Sequence, residues 1–295
     1  MKATSIISLF IKAALAVTVA VVAVSMLFGQ DKAGKGEYKA KYKEFCSSNN
    51  YSGDGHVSFR DLREMTLPST GSLTVDAGRN GGIVVRGSDR SDVLVRACVQ
   101  SWGNTEEEAK AVVSDVKIAT SPAIKADGAN EEKWSVSYEI LAPRSTDLKL
   151  NAHNGGVVIS SVDGRLEFET QNGGVILTDV AGDVHGRTTN GGVVVSLSGT
   201  SWKGSGLDVQ TTNGGVHISL PETYAANVET GTVNGDFNSN IPALNITTED
   251  VKGDEWNHSR SKKISTAING GGAPLRISTT NGGVVIRAAG TEKKY

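Results

Sequence analysis

One short string, Asn-Gly-Gly followed by β-branched residues, recurs at Asn80, Asn154, Asn172, Asn190, Asn213 and Asn281. A further copy at Asn269 lacks the apolar tail, and Asn234-Gly235-Asp236 keeps only the turn. Asn and Gly suit backbone positions with φ > 0, so each copy predicts a corner. With the copies aligned on their Asn, the residues six and four places upstream are apolar: Leu148 and Leu150, Leu166 and Phe168, Leu207 and Val209, Leu275 and Ile277. So are those three and five places downstream: Val157 and Ile159, Val175 and Leu177, Val193 and Val195, Val216 and Ile218, Val284 and Ile286. Alternation with period 2 on both sides of a corner predicts two strands, each with one buried face. Two residues before the Asn, the same inward parity carries Thr170, Thr188, Thr211, Thr232 and Thr279.

The corners are 18, 18, 23 and 21 residues apart from Asn154 through Asn234. A period near 20 with one recurring corner predicts an all-β fold, a single-stranded β-solenoid in which each coil gains a core only by stacking on its neighbours. Parallel crossovers favour the right-handed sense. Stacking makes the repeated Asn and Thr side chains inward ladders that satisfy backbone groups at the turns. On that reading Asn190→Ala leaves such groups unpaired.

These residues resemble the bacterial exported putative-adhesin family, a domain family of undefined biochemical role. The matching features are Trp134-Ser135-Val136-Ser137-Tyr138-Glu139-Ile140 with Pro143 after it, the Asn-Gly-Gly coils, Gly206-Leu207-Asp208-Val209 and Gly270-Gly271-Gly272-Ala273-Pro274-Leu275, across roughly residues 60–290. The resemblance implies a β-helical fold and a cell-envelope location, and brings no catalytic motif.

Residues 1–29 read as an export segment: Lys2 and Lys12 precede an uncharged run from Ala13 to Phe28, and polar sequence begins at Gln30. It is a cleaved signal peptide or, if uncleaved, a membrane anchor through residues 6–28. Either way the remainder is exported. Residues 30–66 form a polar tether, starting with Lys32, Lys35, Lys39, Lys41 and Lys43. Asn50 to Asp61 partly follows the spacing of a calcium-binding loop, with Asn50, Ser52, Asp54 and Asp61 at ligand positions, but Asp61 stands where a bidentate Glu is usual. A polar loop leading into a strand is the simpler reading. Cys46 and Cys98 are two thiols or, in an exported protein, a disulfide pinning the tether to the first coil.

The solenoid spans residues 67–290, with a small α/β insertion at about 97–146. There Asn104, with Glu107 three places on, opens a helix, and Ala109, Val112, Val113 and Val116 give it one apolar side. Outward positions before the corners carry Lys149, Asn151, Glu167, Glu169, His185, Arg187, Asp208 and Gln210, a mixed polar face. Four places after each Asn, Val84, Val158, Ile176, Val194 and Val285 form an outer apolar stripe with His217 its polar member. A stripe of that length is covered by the chain's own segments or offered to a partner. The polar stretch 247–263 reads as an exposed loop.

No catalytic, cofactor or metal signature emerges. Asp163, Asp179, Asp183 and Asp208 share no offset, the five His lack metal spacing, and no nucleophile elbow or phosphate loop is present. A net charge of −2 supplies no basic stripe for nucleic acid. Three functions fit these features: a non-catalytic adhesin-like protein binding a surface glycan or other envelope component, a structural or sensory envelope protein binding another protein through the apolar stripe, and, least, a polysaccharide-active enzyme.

Overall fold

The computed structural model describes residues 45–46, 56–242, 244, 249–250 and 262–289. The export segment and most of the tether lie outside these, as do Asn50, Ser52 and Asp54 and nearly all of the 247–263 loop.

Seven coils each give one strand to each of two sheets. In chain order they pair β2 (Ser72–Asp76) with β3 (Ile83–Ser88), and, past an end structure, β8 (Asp147–Ala152) with β9 (Val157–Ser160). Then come β10 (Asp163–Thr170) with β11 (Val175–Thr178), β12 (Ala181–Asn190) with β13 (Val193–Ser196), and β14 (Gly206–Asn213) with β15 (Val216–Leu220). The last two are β16 (Ala226–Asn234) with β17 (Phe237–Ser239), and β20 (Pro274–Asn281) with β21 (Val284–Ala288). The second strands form sheet I and the first strands sheet II, and all pairings between coils are parallel and in register on the Asn. The expected all-β stack of coils is therefore present.

Two departures stand out. Coil order is not chain order: β20 lies between β14 and β16, and β21 between β15 and β17, so the last coil in sequence is the next-to-last in space. It reaches that place through β19 (Lys262–Ile268), which runs antiparallel along the other side of β16 and carries the two-residue β18 (Glu249–Asp250) on its far edge. The turn from β19 to β20 is the Asn269 copy of the motif. Here alone among the copies the backbone is left-handed, with φ of 49° at Asn269 and 91° at Gly270.

At the other corners no Asn or Gly has positive φ. Their first glycine is required for a different reason: a Cβ there would meet the carbonyl oxygen of the preceding coil, at 2.2 Å for Gly173 against Gly155 and 2.1 Å for Gly191 against Gly173. Coils about 4.8 Å apart leave no room for a side chain pointing along the axis.

Inside, identical offsets stack into ladders. Leu148, Leu166, Val184, Leu207, Leu275 and Val228 form one, and Val157, Val175, Val193, Val216 and Val284 another, all buried. At Gly186 the ring of Phe168 fills the missing place, 2.0 Å from where a Cβ would stand. The 23-residue coil spacing accommodates a loop whose Trp202 is buried, its indole N–H donating to the Gly182 carbonyl at 3.0 Å.

The Asn and Thr ladders divide the work differently from the sequence expectation. The Thr side chains are buried, and each donates to a glycine carbonyl of the neighbouring coil: Thr170 to Gly155, Thr188 to Gly173, Thr211 to Gly191, Thr279 to Gly214 and Thr232 to Gly282, at 2.6 to 2.8 Å. The Asn side chains are not inward. They lie at the surface and bond to each other, amide to amide, in the order Asn80, Asn154, Asn172, Asn190, Asn213, Asn281, Asn234, at 2.7 to 3.0 Å. Water can replace a lost partner there. Thr188→Val is accordingly expected to cost about 1 to 3 kcal/mol by orphaning a buried acceptor, and Asn190→Ala about 1 kcal/mol or less. Urea titrations of both variants check the ranking, which equal losses would overturn.

At the N-terminal end, β1 (Val57–Pro68), β4 (Asp92–Gly103) and β7 (Trp134–Pro143), antiparallel to one another, extend sheet I, with β7 parallel to β3, and β5 (Lys117–Ala119) and β6 (Ile124–Asp127) extend sheet II. Residues 57–66, read as tether, are thus strand. Helix α1 (Glu106–Asp115) packs Ala109 and Val113 into this end of the core. Its cap falls one residue later than expected: Thr105 accepts from the Glu108 N–H, while the Glu108 carboxylate accepts from the Asn104 N–H. The Arg63 guanidinium donates to the Val113 and Val116 carbonyls, closing the C-terminal end. Asp61 pairs with Arg63 at 2.8 Å inside β1, so strand replaces the end of the calcium-loop spacing. Cys46 and Cys98 are joined in a disulfide.

Candidate functional site

Period-2 alternation sends every second side chain of sheet II to solvent, and parallel in-register pairing lines these up in rows along the stack. One row reads Lys149, Glu167, His185, Asp208, and the next Asn151, Glu169, Arg187, Gln210. These eight residues, with the strand backbone at Phe168 and Gly186 as floor, line a shallow open trough of about 460 Å³. The mixed polar face expected from sequence is therefore one continuous surface.

Several of its polar groups have local partners. Arg187 donates to Glu169 at 2.8 Å, His185 Nε2 lies 2.9 Å from Asp183 Oδ1, and the Gln210 amide reaches Asp208 at 3.4 Å. Both rows alternate donors and acceptors, and Asn151, Glu167 and Gln210 stand exposed. Such a surface offers dense, directional hydrogen bonding with little net charge, which suits a hydroxyl-rich ligand better than a polyanion.

The row extends further than chain order suggests. Because β20 lies beside β14, Arg276 is in register with Asp208, and Glu229 with Arg276. Arg276 donates to Glu229 at 3.0 Å, and that hydrogen bond raises the guanidinium pKa. Its offset from Asn281 identifies Arg276 as an outward residue; only the coil order reveals its neighbours.

The other sequence candidates lie elsewhere. Val84, Val158, Ile176, Val194, His217 and Val285 form one row across the outer face of sheet I, with Val194 37 % exposed and the others half-buried. The 97–146 stretch goes to the end of the core and not over this row. Asp179 sits at a left-handed corner, φ 49°, and Asp183 is bonded to His185. Among the described residues no group of three or more His, Cys, Asp or Glu is placed to hold a metal ion, and no helix is long and apolar enough to cross a membrane.

A family model described as Toastrack DUF4097 matches residues 46–287. No curated protein matches the chain. Among solved structures, a putative cell adhesion protein from Clostridium sporogenes is similar at 10 % identity over 78 % of this chain and 100 % of its own, with a TM-score of 0.38. A putative adhesin from Bacteroides fragilis is similar at 11 % identity over 77 % of this chain and 97 % of its own, with a TM-score of 0.29. Neither likeness bears on what this chain binds.

Proposed function

The chain belongs to the Toastrack DUF4097 family, and from that premise we propose that it is an exported, non-catalytic, adhesin-like protein that holds a surface glycan in the trough of sheet II. The observation that carries this reading is the convergence of eight outward polar side chains, repeated coil by coil, on one open surface. A glycan presents hydroxyls, each donor and acceptor, at regular intervals, and rows at about 4.8 Å spacing meet such a ligand with a hydrogen-bonding group at each step. Charges of both signs on the face keep it hydrated and soluble without attracting polyanions. The export segment and the disulfide support a location outside the cytoplasm.

The test is sedimentation of the protein with insoluble polysaccharides and with isolated cell envelopes. Saturable binding is expected, and the triple variant Asn151→Ala, Glu167→Ala, Gln210→Ala should weaken it roughly 10- to 100-fold, at about 1 kcal/mol or less per lost hydrogen bond. These exposed positions should leave the melting curve within about 0.5 kcal/mol of wild type. Binding that survives the triple change moves the site off sheet II, and release of new reducing ends would replace the non-catalytic reading.

A further inference from the structure

The two outer faces of the stack differ in chemistry. Outward positions of sheet II carry Asp147, Glu167, Glu169, Asp183, Asp208 and Glu229 among others. Across the seven coils, the outward positions of the sheet I strands carry no carboxylate. They form the row through Val194, apolar except for His217 and, on the outermost coil, Asn238, and, two residues on, a row of small hydroxyls that begins at Arg86 and ends at Arg287. On the end structure the same face carries Glu139, ion-paired with Arg86 and Arg96, Glu64, ion-paired with Arg96, and Asp92, ion-paired with Arg90.

The disulfide adds a second, independent fact. Arg96 is in register with Glu139 and Glu139 with Val84, so Arg96, and with it Cys98 two residues along β4, belongs to the outer side of sheet I. Cys46 is therefore fastened to the same face as the apolar row. The 45 residues before it contain the uncharged run Ala13 to Phe28 and then Lys32, Lys35, Lys39, Lys41 and Lys43. The chain thus leads from an apolar segment through a lysine-rich stretch to the more apolar face, flanked by arginine, whose coils carry no outward carboxylate and whose end-structure carboxylates are each paired with arginine.

We infer that the outer face of sheet I lies on an anionic lipid bilayer, leaving sheet II turned away from it. A protein partner fits less well. The apolar row is one side chain wide and about 30 Å long, roughly 200 Å² at strand spacing, against about 800 Å² per partner in stable complexes. A membrane needs no shape complementarity. It takes apolar side chains at the headgroup boundary and attracts arginine and lysine to anionic lipid. Contacts too weak to bind from solution suffice once the N-terminal segment holds the face at high local concentration.

The test uses the full chain in phosphatidylcholine vesicles containing phosphatidylglycerol, with a reporter at Val194→Trp and a control at Gln210→Trp on sheet II. Bromine-labelled lipid is expected to quench the sheet I reporter and shift its emission to the blue, and to leave the sheet II reporter unchanged. Val285→Trp serves as a second sheet I reporter if the first variant melts early. Vesicle-bound protein in which both sheet I reporters escape quenching overturns the proposal, as does equal quenching on both sheets. Protection of Val194→Trp by an envelope protein fraction without lipid quenching would assign the face to a protein instead. None of these outcomes touches glycan binding by sheet II, which the sedimentation assay reads separately.

Discussion

Gly173→Ala is expected to destabilise the protein by about 3 kcal/mol or more, the upper end for forcing atoms into a packed interior. The added methyl would sit 2.2 Å from the Gly155 carbonyl oxygen, and that oxygen is backbone, already accepting from Thr170. It cannot move without separating two coils whose strands are paired on both flanks. The adjacent Gly174→Ala provides the contrast. Its Cβ would be 3.4 Å from the Gly192 oxygen, ordinary contact, and it should cost no more than about 1 kcal/mol, partly offset by the stiffer unfolded chain. Denaturation followed by circular dichroism distinguishes the two. If φ were the reason for the glycine, Gly173→Asn would be tolerated; the stacking distance predicts that it fails as Ala does. Similar losses at 173 and 174 would remove close approach as the explanation.

Breaking the Cys46–Cys98 bridge should lower stability by about 4 kcal/mol, the loop-closure entropy for a separation of 52 residues. In a domain of this size that corresponds to a fall in Tm on the order of 10 °C. The closed loop contains β1, β2 and β3, so it joins the end structure to the first coil. Cys46→Ser with Cys98→Ser, and wild type reduced with dithiothreitol, should give the same melting curve. An unchanged Tm after complete reduction would mean that the staple adds nothing to the packing of β1 on β4.

Much of this architecture is legible in spacing alone. Alignment on the Asn locates the buried ladders, the corners and the outward rows, because stacking forces equal offsets to share an environment. Direction and order are not legible in the same way. Asn190 and Thr188 are both even in parity from the strand, yet the corner carries the Asn amide out to the surface while the Thr hydroxyl stays inside, bonded to Gly173. Nor does a glycine's letter distinguish a left-handed turn, as at Gly270, from a place where another backbone passes close, as at Gly173. The row through Asp208, Arg276 and Glu229 depends on a permuted coil order, on which the repeat is silent because every copy fits beside every other. Residues 57–66 resemble tether because Arg60, Asp61, Arg63 and Glu64 mask the alternation of Phe59, Met65 and Leu67. Arg63 is there to close helix α1.

That permuted order has a consequence in time. Residues 226–239 form the outermost coil, and they leave the ribosome before residues 274–288, the coil on which they rest. Growth of the rod by in-order addition, each new coil templated on the one just made, therefore stops after Leu220. The outermost coil must wait unplaced, or lie for a while against β14 and β15, whose Thr and Asn it matches equally well, until the last coil arrives and takes the position between them.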